Sequence, residues 1–322
     1  MKKKLLFYLR LVISLLLVAL FVYSADFTQL PPVAPSGWPL IALTALIANL
    51  DRVLMAYKWS ILLKVKGINI SFAEVVCSYY IGTFWGTFLP ASVGGDMVRA
   101  YRICGRTGNV KDIISSIILE RVLGIAATLF IGALSLIFFI TFVSASEWKI
   151  AAALALSLLI FFALLALSFS AQLTRWFDRR FQFHKRGRME KLAEVYRSYR
   201  SYQEHRGPIA RFLLWSLLEQ CSPVLSAFLV SRSLGLDIPF WAFVVFVPVI
   251  MAIARAPISF DGYGVREGLY VYFFSLVGAP TAESFLIGLL GHIVGTAAVL
   301  PGFFYCSFYS PAPAKLWPSA SS

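Results

Sequence analysis

Eleven ionisable residues sit inside stretches of sequence that are otherwise apolar: Asp51, Arg52, Asp96, Arg99, Glu120, Arg121, Glu219, Arg255, Asp261, Arg266 and Glu267. At roughly 2.5–3.5 kcal/mol for each charge exposed to lipid at the bilayer centre, they would together cost on the order of 30 kcal/mol. They must therefore pair with one another or face water. Asp96 and Arg99, three residues apart, share a helix face, whereas the adjacent Glu120 and Arg121 point apart and each needs a partner elsewhere. Asp51, Arg52 and Glu219 read as structural ion pairs that pin helices together, and Asp96, Glu120, Asp261 and Glu267 as further pairing or coupling groups. His292 is a candidate proton-linked group or a polar contact within the bundle.

Two of these charges stand beside glycine-rich breaks that suggest anion binding. Arg99 follows FLPASVGGDMV, and Arg266 lies within APISFDGYGVREG. Gly94, Gly95, Gly262 and Gly264 permit close backbone approach, and a helix starting after each break presents unpaired N–H groups and the positive end of its dipole. Two helix N-termini with arginine suit an anion, phosphate above all, because the guanidinium fork matches phosphate oxygens. Arg121 and Arg255 are further candidate ligands; Ser92 and Ser259 offer hydroxyl donors or serve as turn and cap residues.

The elements that carry these residues follow from composition. Of the 322 residues 59% are hydrophobic and 14% charged, with a mean hydropathy of +0.77. A soluble domain has roughly 45–50% and 25%, so a soluble enzyme and a disordered chain are both excluded. The net charge of +13 on so apolar a chain points to a polytopic membrane protein and away from a nucleic-acid partner. Six stretches reach the roughly 20 residues that a spanning helix needs: Leu5–Tyr23, Trp38–Leu63, Ile113–Phe142, Trp148–Phe169, Ile209–Val230 and Ala282–Phe308. Phe72–Arg102 and Pro239–Val277 are apolar too, but each is broken near its middle and reads as two short helices.

Loop charges set the threading. Twenty-two of the 29 basic residues fall in Met1–Arg10, at Lys64 and Lys66, in Arg99–Lys111, in Arg175–Arg211 and at Lys315. The positive-inside rule places all of these, and both termini, on the cytoplasmic side. The first broken segment then enters from the cytoplasm and returns there, while the second dips in from the opposite face; single crossings are the alternative. Non-helical backbone at such depth needs surrounding protein or a watery cavity.

The breaks also resemble each other. PASVGGDMVR (Pro90–Arg99) and PISFDGYGVR (Pro257–Arg266) share Pro, Ser, Gly, Val and Arg, and GIAATL (Gly124–Leu129) matches GTAAVL (Gly295–Leu300), an offset that sets His292 opposite Arg121. The expected fold is an all-α polytopic membrane protein with about six transmembrane helices and two oppositely oriented re-entrant hairpins in an inverted repeat. Its single membrane domain divides into a first helix and outer loop (1–37), repeat 1 (38–143), a linking helix (144–170), a basic cytoplasmic segment (171–208), repeat 2 (209–308) and a tail (309–322). Many secondary transporters share this inverted arrangement, with discontinuous helices meeting at a midplane site.

LPASVGGDMVR (Leu89–Arg99), ERVLG (Glu120–Gly124) and GYGVREG (Gly262–Gly268) resemble the motifs of the lysylphosphatidylglycerol synthase transmembrane, or flippase-like, domain family, and the similarity runs over nearly the whole chain. The resemblance implies an integral membrane protein that moves a lipid or lipid-linked precursor between leaflets. Larger relatives append a soluble aminoacyl-transferase domain; this chain ends at Ser322 shortly after its last helix, so synthase activity is not implied.

Arg175–Arg211, with 11 basic and 4 acidic residues and Met189, Leu192, Val195, Tyr196, Tyr199 and Tyr202 at helical spacing, reads as a basic amphipathic helix on the cytoplasmic surface or as a solvated linker. The Lys-rich start with Leu5–Tyr23 reads as an uncleaved first helix more than a signal peptide. Cys77, Cys104, Cys221 and Cys306 are scattered, which indicates free thiols and neither a metal site nor a disulfide framework. No GxxxxGK[ST], HExxH or nucleophile-elbow motif supports ATP or zinc hydrolysis, and no cofactor is expected. The function expected is translocation of an anionic phospholipid or lipid-linked phosphate in the plasma (inner) membrane, with anionic lipids, a second copy or an envelope-synthesis enzyme as partners. A membrane enzyme using Asp96, Glu120, Asp261 or Glu267 as general base, or a non-transporting scaffold for envelope synthesis, are the alternatives.

Overall fold

The structure, a computed structural model, describes residues 35–88, 94–142, 188–254 and 262–309 and the single positions 152, 156 and 159. The expected spans Leu5–Tyr23 and, apart from those single positions, Trp148–Phe169 lie outside the described residues, as do Ser92, Arg255, Ser259 and Asp261. The described helices are α1 (Trp38–Val65), α2 (Phe72–Phe88), α3 (Gly94–Thr107), α4 (Val110–Phe142), α5 (Arg188–Ser201), α6 (Arg206–Glu219), α7 (Cys221–Ser233), α8 (Phe240–Ala254), α9 (Val265–Ser275), α10 (Thr281–Ala297) and α11 (Val299–Tyr309). The described residues contain no strand. Pro35–Val65, Val110–Phe138, Arg206–Ser233 and Thr281–Phe308 are long and apolar enough to cross a membrane. The protein is an all-α polytopic membrane protein.

Local chemistry sets the helix ends. Pro39 opens α1, where its missing N–H costs nothing. At the other end Gly67, at φ 68°, lets the chain turn back, so that its N–H bonds Lys64 O and that of Ile68 bonds Leu63 O. Two spans expected to be continuous are each interrupted, at Gln220 and at Ala298, and a proline lies three residues beyond both points. Pro223 and Pro301 have no N–H to give the carbonyls of Glu219 and Ala297, which breaks the ladder there. Pro248, inside α8, similarly deprives Val244 O, and the Ser135 hydroxyl of α4 donates to that oxygen at 3.3 Å.

Each broken segment forms a helical hairpin. The start of α2 lies beside the end of α3, with Glu74 Oε1 accepting from Arg102 and pairing with Arg106, both at 3.2 Å. In the second hairpin Phe243 near the start of α8 meets Phe274 near the end of α9, ring centroids 4.9 Å apart. Close approach of α2 and α3 depends on glycine: a Cβ on Gly95 would stand 2.6 Å from the Gly82 carbonyl oxygen, and one on Gly86 would stand 3.2 Å from Gly95 Cα.

The hairpins pack in exchange. The first, through α2, packs against α11 at the end of the second half, and the second, through α8, packs against α4 of the first half. Three further sets of contacts pair off likewise: α1 with α10 and α6 with α4, α1 with α2 and α7 with α8, α3 with α4 and α9 with α10. The largest core centres on α8, with Phe243, Phe246, Val247, Val249 and Ile250 almost wholly buried among residues of α4, α7, α9 and α10.

Cys77 of α2 and Cys306 of α11 form a disulfide, with Cα atoms 5.0 Å apart; Cys104 and Cys221 are free. This corrects the expectation of four free thiols. The partners are 229 residues apart and are brought together by hairpin exchange, which cysteine spacing does not encode.

Alkylation of the denatured protein without reductant should therefore label only Cys104 and Cys221 by mass spectrometry, and labelling after reduction should reach all four cysteines. Gly95→Ala should lower the unfolding midpoint in detergent, at a cost of about 1–3 kcal/mol from overpacking. Gly124→Ala, inside α4 where a Cβ meets nothing within 4 Å, should hold or raise the midpoint.

Candidate functional site

The charges of the first half gather where α3 meets α1 and α4. Arg99 is 4% exposed, and its guanidinium lies against two rings that touch edge to face, Cζ 4.7 Å from the Trp59 centroid and 4.1 Å from that of Tyr79. It donates to Asp96 in the first turn of its own helix and to both oxygens of Glu120, at 3.1 and 3.4 Å. Arg121 Nε donates to the other oxygen of Asp96. Glu120 and Arg121, expected to need separate partners, thus meet two neighbouring members of one cluster.

Beside it Lys58 of α1 pairs with Glu219 of α6, donates to Ser216 Oγ at 3.1 Å, and stands within electrostatic reach of Glu120. Lys58, Arg99 and Arg121 balance Asp96, Glu120 and Glu219. That is how a bundle in hydrocarbon holds so many charges: each has a counter-ion and several have hydrogen bonds besides. Arg99, expected as a phosphate ligand, has its guanidinium engaged by protein groups here. Arg121 keeps 39% of its side chain exposed.

The second cluster lies where the first turn of α9 meets α10 and α1. Arg266 Nη1 contacts His292 Nδ1, and Arg52 of α1 is within electrostatic reach of the same imidazole. Arg52 Nη1 lies 3.0 Å from Met55 Sδ and 3.4 Å from Asp51 Oδ2, while its Nε is buried without an acceptor among the described residues. Tyr80 donates to Asn49 Oδ1 at 2.7 Å close by. Arg52, expected with Asp51 and Glu219 among the ion pairs that pin helices together, lies within electrostatic reach of the second cluster.

The clusters use equivalent positions. The sequence match sets Tyr263 opposite Asp96 and His292 opposite Arg121. Asp96 pairs with Arg121, and the Tyr263 and His292 rings meet edge to face with centroids 4.3 Å apart. Gly262 and Gly264, at φ 80° and 81°, hold the left-handed turn that leads into α9.

Each half-helix start, expected to face a bound anion, carries its own carboxylate. Asp96 lies in the first turn of α3. Glu267, with no exposed surface, accepts the Gly264 N–H at 2.6 Å on Oε2, and its Oε1 is buried without a partner among the described residues. Helix dipoles favour acidic groups at these positions. Among the described residues no group of His, Cys, Asp or Glu is placed to hold a metal ion.

Sequence reasoning missed Trp59 and Tyr79 around Arg99, and the pairing of Lys58 with Glu219. Trp59 and Tyr79 look like ordinary core aromatics. Lys58 was noticeable as a cation in an apolar run, but its partner is 161 residues away.

The basic segment also differs from expectation. Its helix α5 docks on the ends of α1 and α4, with Tyr199 and Tyr202 buried among Leu62, Leu119, Leu123 and Phe212. Ser198 Oγ donates to Asp112 Oδ1 at 2.5 Å, Lys66 donates to Ser201 Oγ at 2.6 Å, and Tyr202 OH donates to Leu62 O at 3.1 Å. Burial holds the Lys66 ammonium below its ordinary value against the opposing pull of Asp112, with Lys111 pushing it further down. The aromatic stripe faces the bundle, and Leu192 remains exposed.

Removing one partner of a buried ion pair costs about 3–5 kcal/mol, whereas removing both is often near neutral. Lys58→Met and Glu219→Leu should each cost stability of that order in detergent unfolding, and the double variant should recover most of it.

Residues 7–302 match the family model described as the lysylphosphatidylglycerol synthase TM region. A curated relative, the UPF0104 membrane protein PH1989 of Pyrococcus horikoshii, is 22% identical over 308 residues, covering 89% of this chain and 92% of its own. Spanning helices, charge clusters at the breaks and this match over most of its length all agree: the chain belongs to the lysylphosphatidylglycerol synthase transmembrane-region family.

Proposed function

We propose that the protein is a flippase-like transporter that carries a lipid with an anionic phosphate head group between leaflets of the plasma (inner) membrane. The observation that carries this reading is the contact of Arg266 of α9 with His292 of α10 inside apolar segments, with a second guanidinium, Arg52 of α1, within electrostatic reach of the same ring. The buried, acceptorless Nε of Arg52 adds a donor aimed at no described group. A phosphate oxygen supplies the acceptor, and its charge offsets guanidinium burial. Acyl chains stay in the bilayer while the head group crosses through protein.

The exchanged hairpins and equivalent contacts at Asp96/Arg121 and Tyr263/His292 support an inverted repeat with two opposed re-entrant hairpins. Lys66, Asp112 and the docked α5 lie in or next to three segments that the charge rule assigns to the cytoplasm, and they meet at one end of the bundle. That supports cytoplasmic placement of this end and of both termini. The exposed part of the basic segment then lies near the anionic cytoplasmic leaflet.

Vesicles containing the purified protein should move fluorescent phosphatidylglycerol between leaflets. Arg52→Gln and Arg266→Gln should each slow this about tenfold or more, the equivalent of a lost charge-assisted hydrogen bond. Equal rates in wild type, the variants and protein-free vesicles would end the proposal, and a product of new mass would replace it with a membrane enzyme.

A further inference from the structure

The two sides of the first hairpin are held in different ways. On one side α2 is interlocked with α11. Besides the Cys77–Cys306 disulfide, the Phe84 and Phe303 rings stack with centroids 3.7 Å apart, and the Tyr80 ring fills the space beside Gly302 that any side chain there would need. Val98 of α3 packs into the same cluster. Such a contact is covalent and close-packed, and packed cores shift between discrete arrangements more readily than they deform.

On the other side the tip of α3 meets α4 through charge, Asp96 with Arg121 and Arg99 with Glu120. Further down, Ile103 packs with Ile113 and Ile117, and Glu74 ties Arg102 and Arg106 to the base of the hairpin. The base is apolar and clamped, whereas the tip is held by ions. An ionic contact can be widened if another anion enters to serve the arginines and each displaced carboxylate keeps a second cation, as Asp96 keeps Arg99 and Glu120 has Lys58 within reach. Here the anion must serve guanidinium forks on two helices, Arg99 on α3 and Arg121 on α4, as the separate oxygens of one phosphate can.

We infer that the first hairpin and α11 move as one body, and that the α3/α4 seam opens when a lipid phosphate enters between Arg99 and Arg121 in place of the cross-seam pairs, leaving Asp96 with Arg99 on its own helix and Glu120 within reach of Lys58. This rests on the transport reading above and gives the phosphate a second stop, distinct from Arg52 and Arg266. Without an anion, opening breaks both cross-seam pairs, Asp96–Arg121 and Arg99–Glu120, with nothing in their place, so the seam stays shut. The resulting gate is opened by its own substrate.

Spin labels test the motion apart from transport. In a background with Cys104→Ser and Cys221→Ser, one label pair sits across the seam (Met97→Cys with Phe130→Cys) and the other within the body (Met97→Cys with Phe308→Cys), all at exposed positions. In vesicles of digalactosyldiacylglycerol, which has no phosphate, each pair should give a single distance. Adding phosphatidylglycerol should produce a second, longer distance for the first pair and none for the second, and inorganic phosphate alone should do neither. Asp96→Asn should open the seam without any added anion. A seam distance unaffected by phosphatidylglycerol, or a within-body distance that changes with it, overturns the inference. Opening by inorganic phosphate alone overturns the lipid as ligand. Seam opening in a protein that moves no lipid would refute transport and leave the gate standing; transport with a closed seam would do the reverse.

Discussion

Arg99 can occupy the interior of a membrane bundle because Asp96, Glu120, Trp59 and Tyr79 occupy it too. A guanidinium left alone there would cost about 3–5 kcal/mol, a large share of the net stability of a typical fold. The requirement propagates outward. Asp96 must lie on the same half-helix, so α3 has to start at the break; Glu120 and Arg121 must lie abreast of it on α4; and Lys58, within reach of Glu120, needs Glu219 from the other half of the chain. Electroneutrality at one point thus ties together α1, α3, α4 and α6, which a purely apolar interface would hold in less specific register.

The second constraint is backbone. A proline inside a spanning helix leaves a carbonyl that lipid cannot satisfy. Near Pro223 and Pro301 the chain answers by interrupting the helix, and at Pro248 it answers with a neighbour's hydroxyl. Glycine then determines how closely the pieces approach. Gly82, Gly86 and Gly95 bring α2 and α3 together, and Gly132 brings α4 to 3.1 Å of Pro248 O, counted from where its Cβ would stand. Small residues thereby shape the hairpins that hold the charges.

Much of the fold was legible in the sequence because membranes make the code simple: length, apolarity and breaks. Trp38–Leu63 and Ile113–Phe142 correspond to α1 and α4 within a few residues, and both broken segments resolve into two helices at the Pro/Gly breaks. The interruptions at Gln220 and Ala298 were visible as prolines but were read through, since hydropathy averages over them. The site was legible by membership and not by partnership. The ionisable residues in apolar runs identify themselves, whereas the pairing of Lys58 with Glu219 or of Cys77 with Cys306 depends on hairpin exchange, a long-range property with no local signal. Arg52 illustrates the same limit: read as one of the charges that pin helices together, it pairs with its own neighbour Asp51 and stands within electrostatic reach of His292, far away along the chain.

The hydroxyl of Ser135 on Val244 O has a consequence for how such a chain is made. Synthesis runs from the N-terminus, so α4 is in the bilayer before α8 leaves the ribosome. The donor that the proline-broken helix lacks is already waiting on its neighbour when α8 arrives, with Gly132 one turn away leaving room for the approach. Order along the chain thus serves as a chaperone: the defect in the later helix is repaired by a residue of the earlier one, and the reverse order would leave a bare carbonyl in lipid during biogenesis.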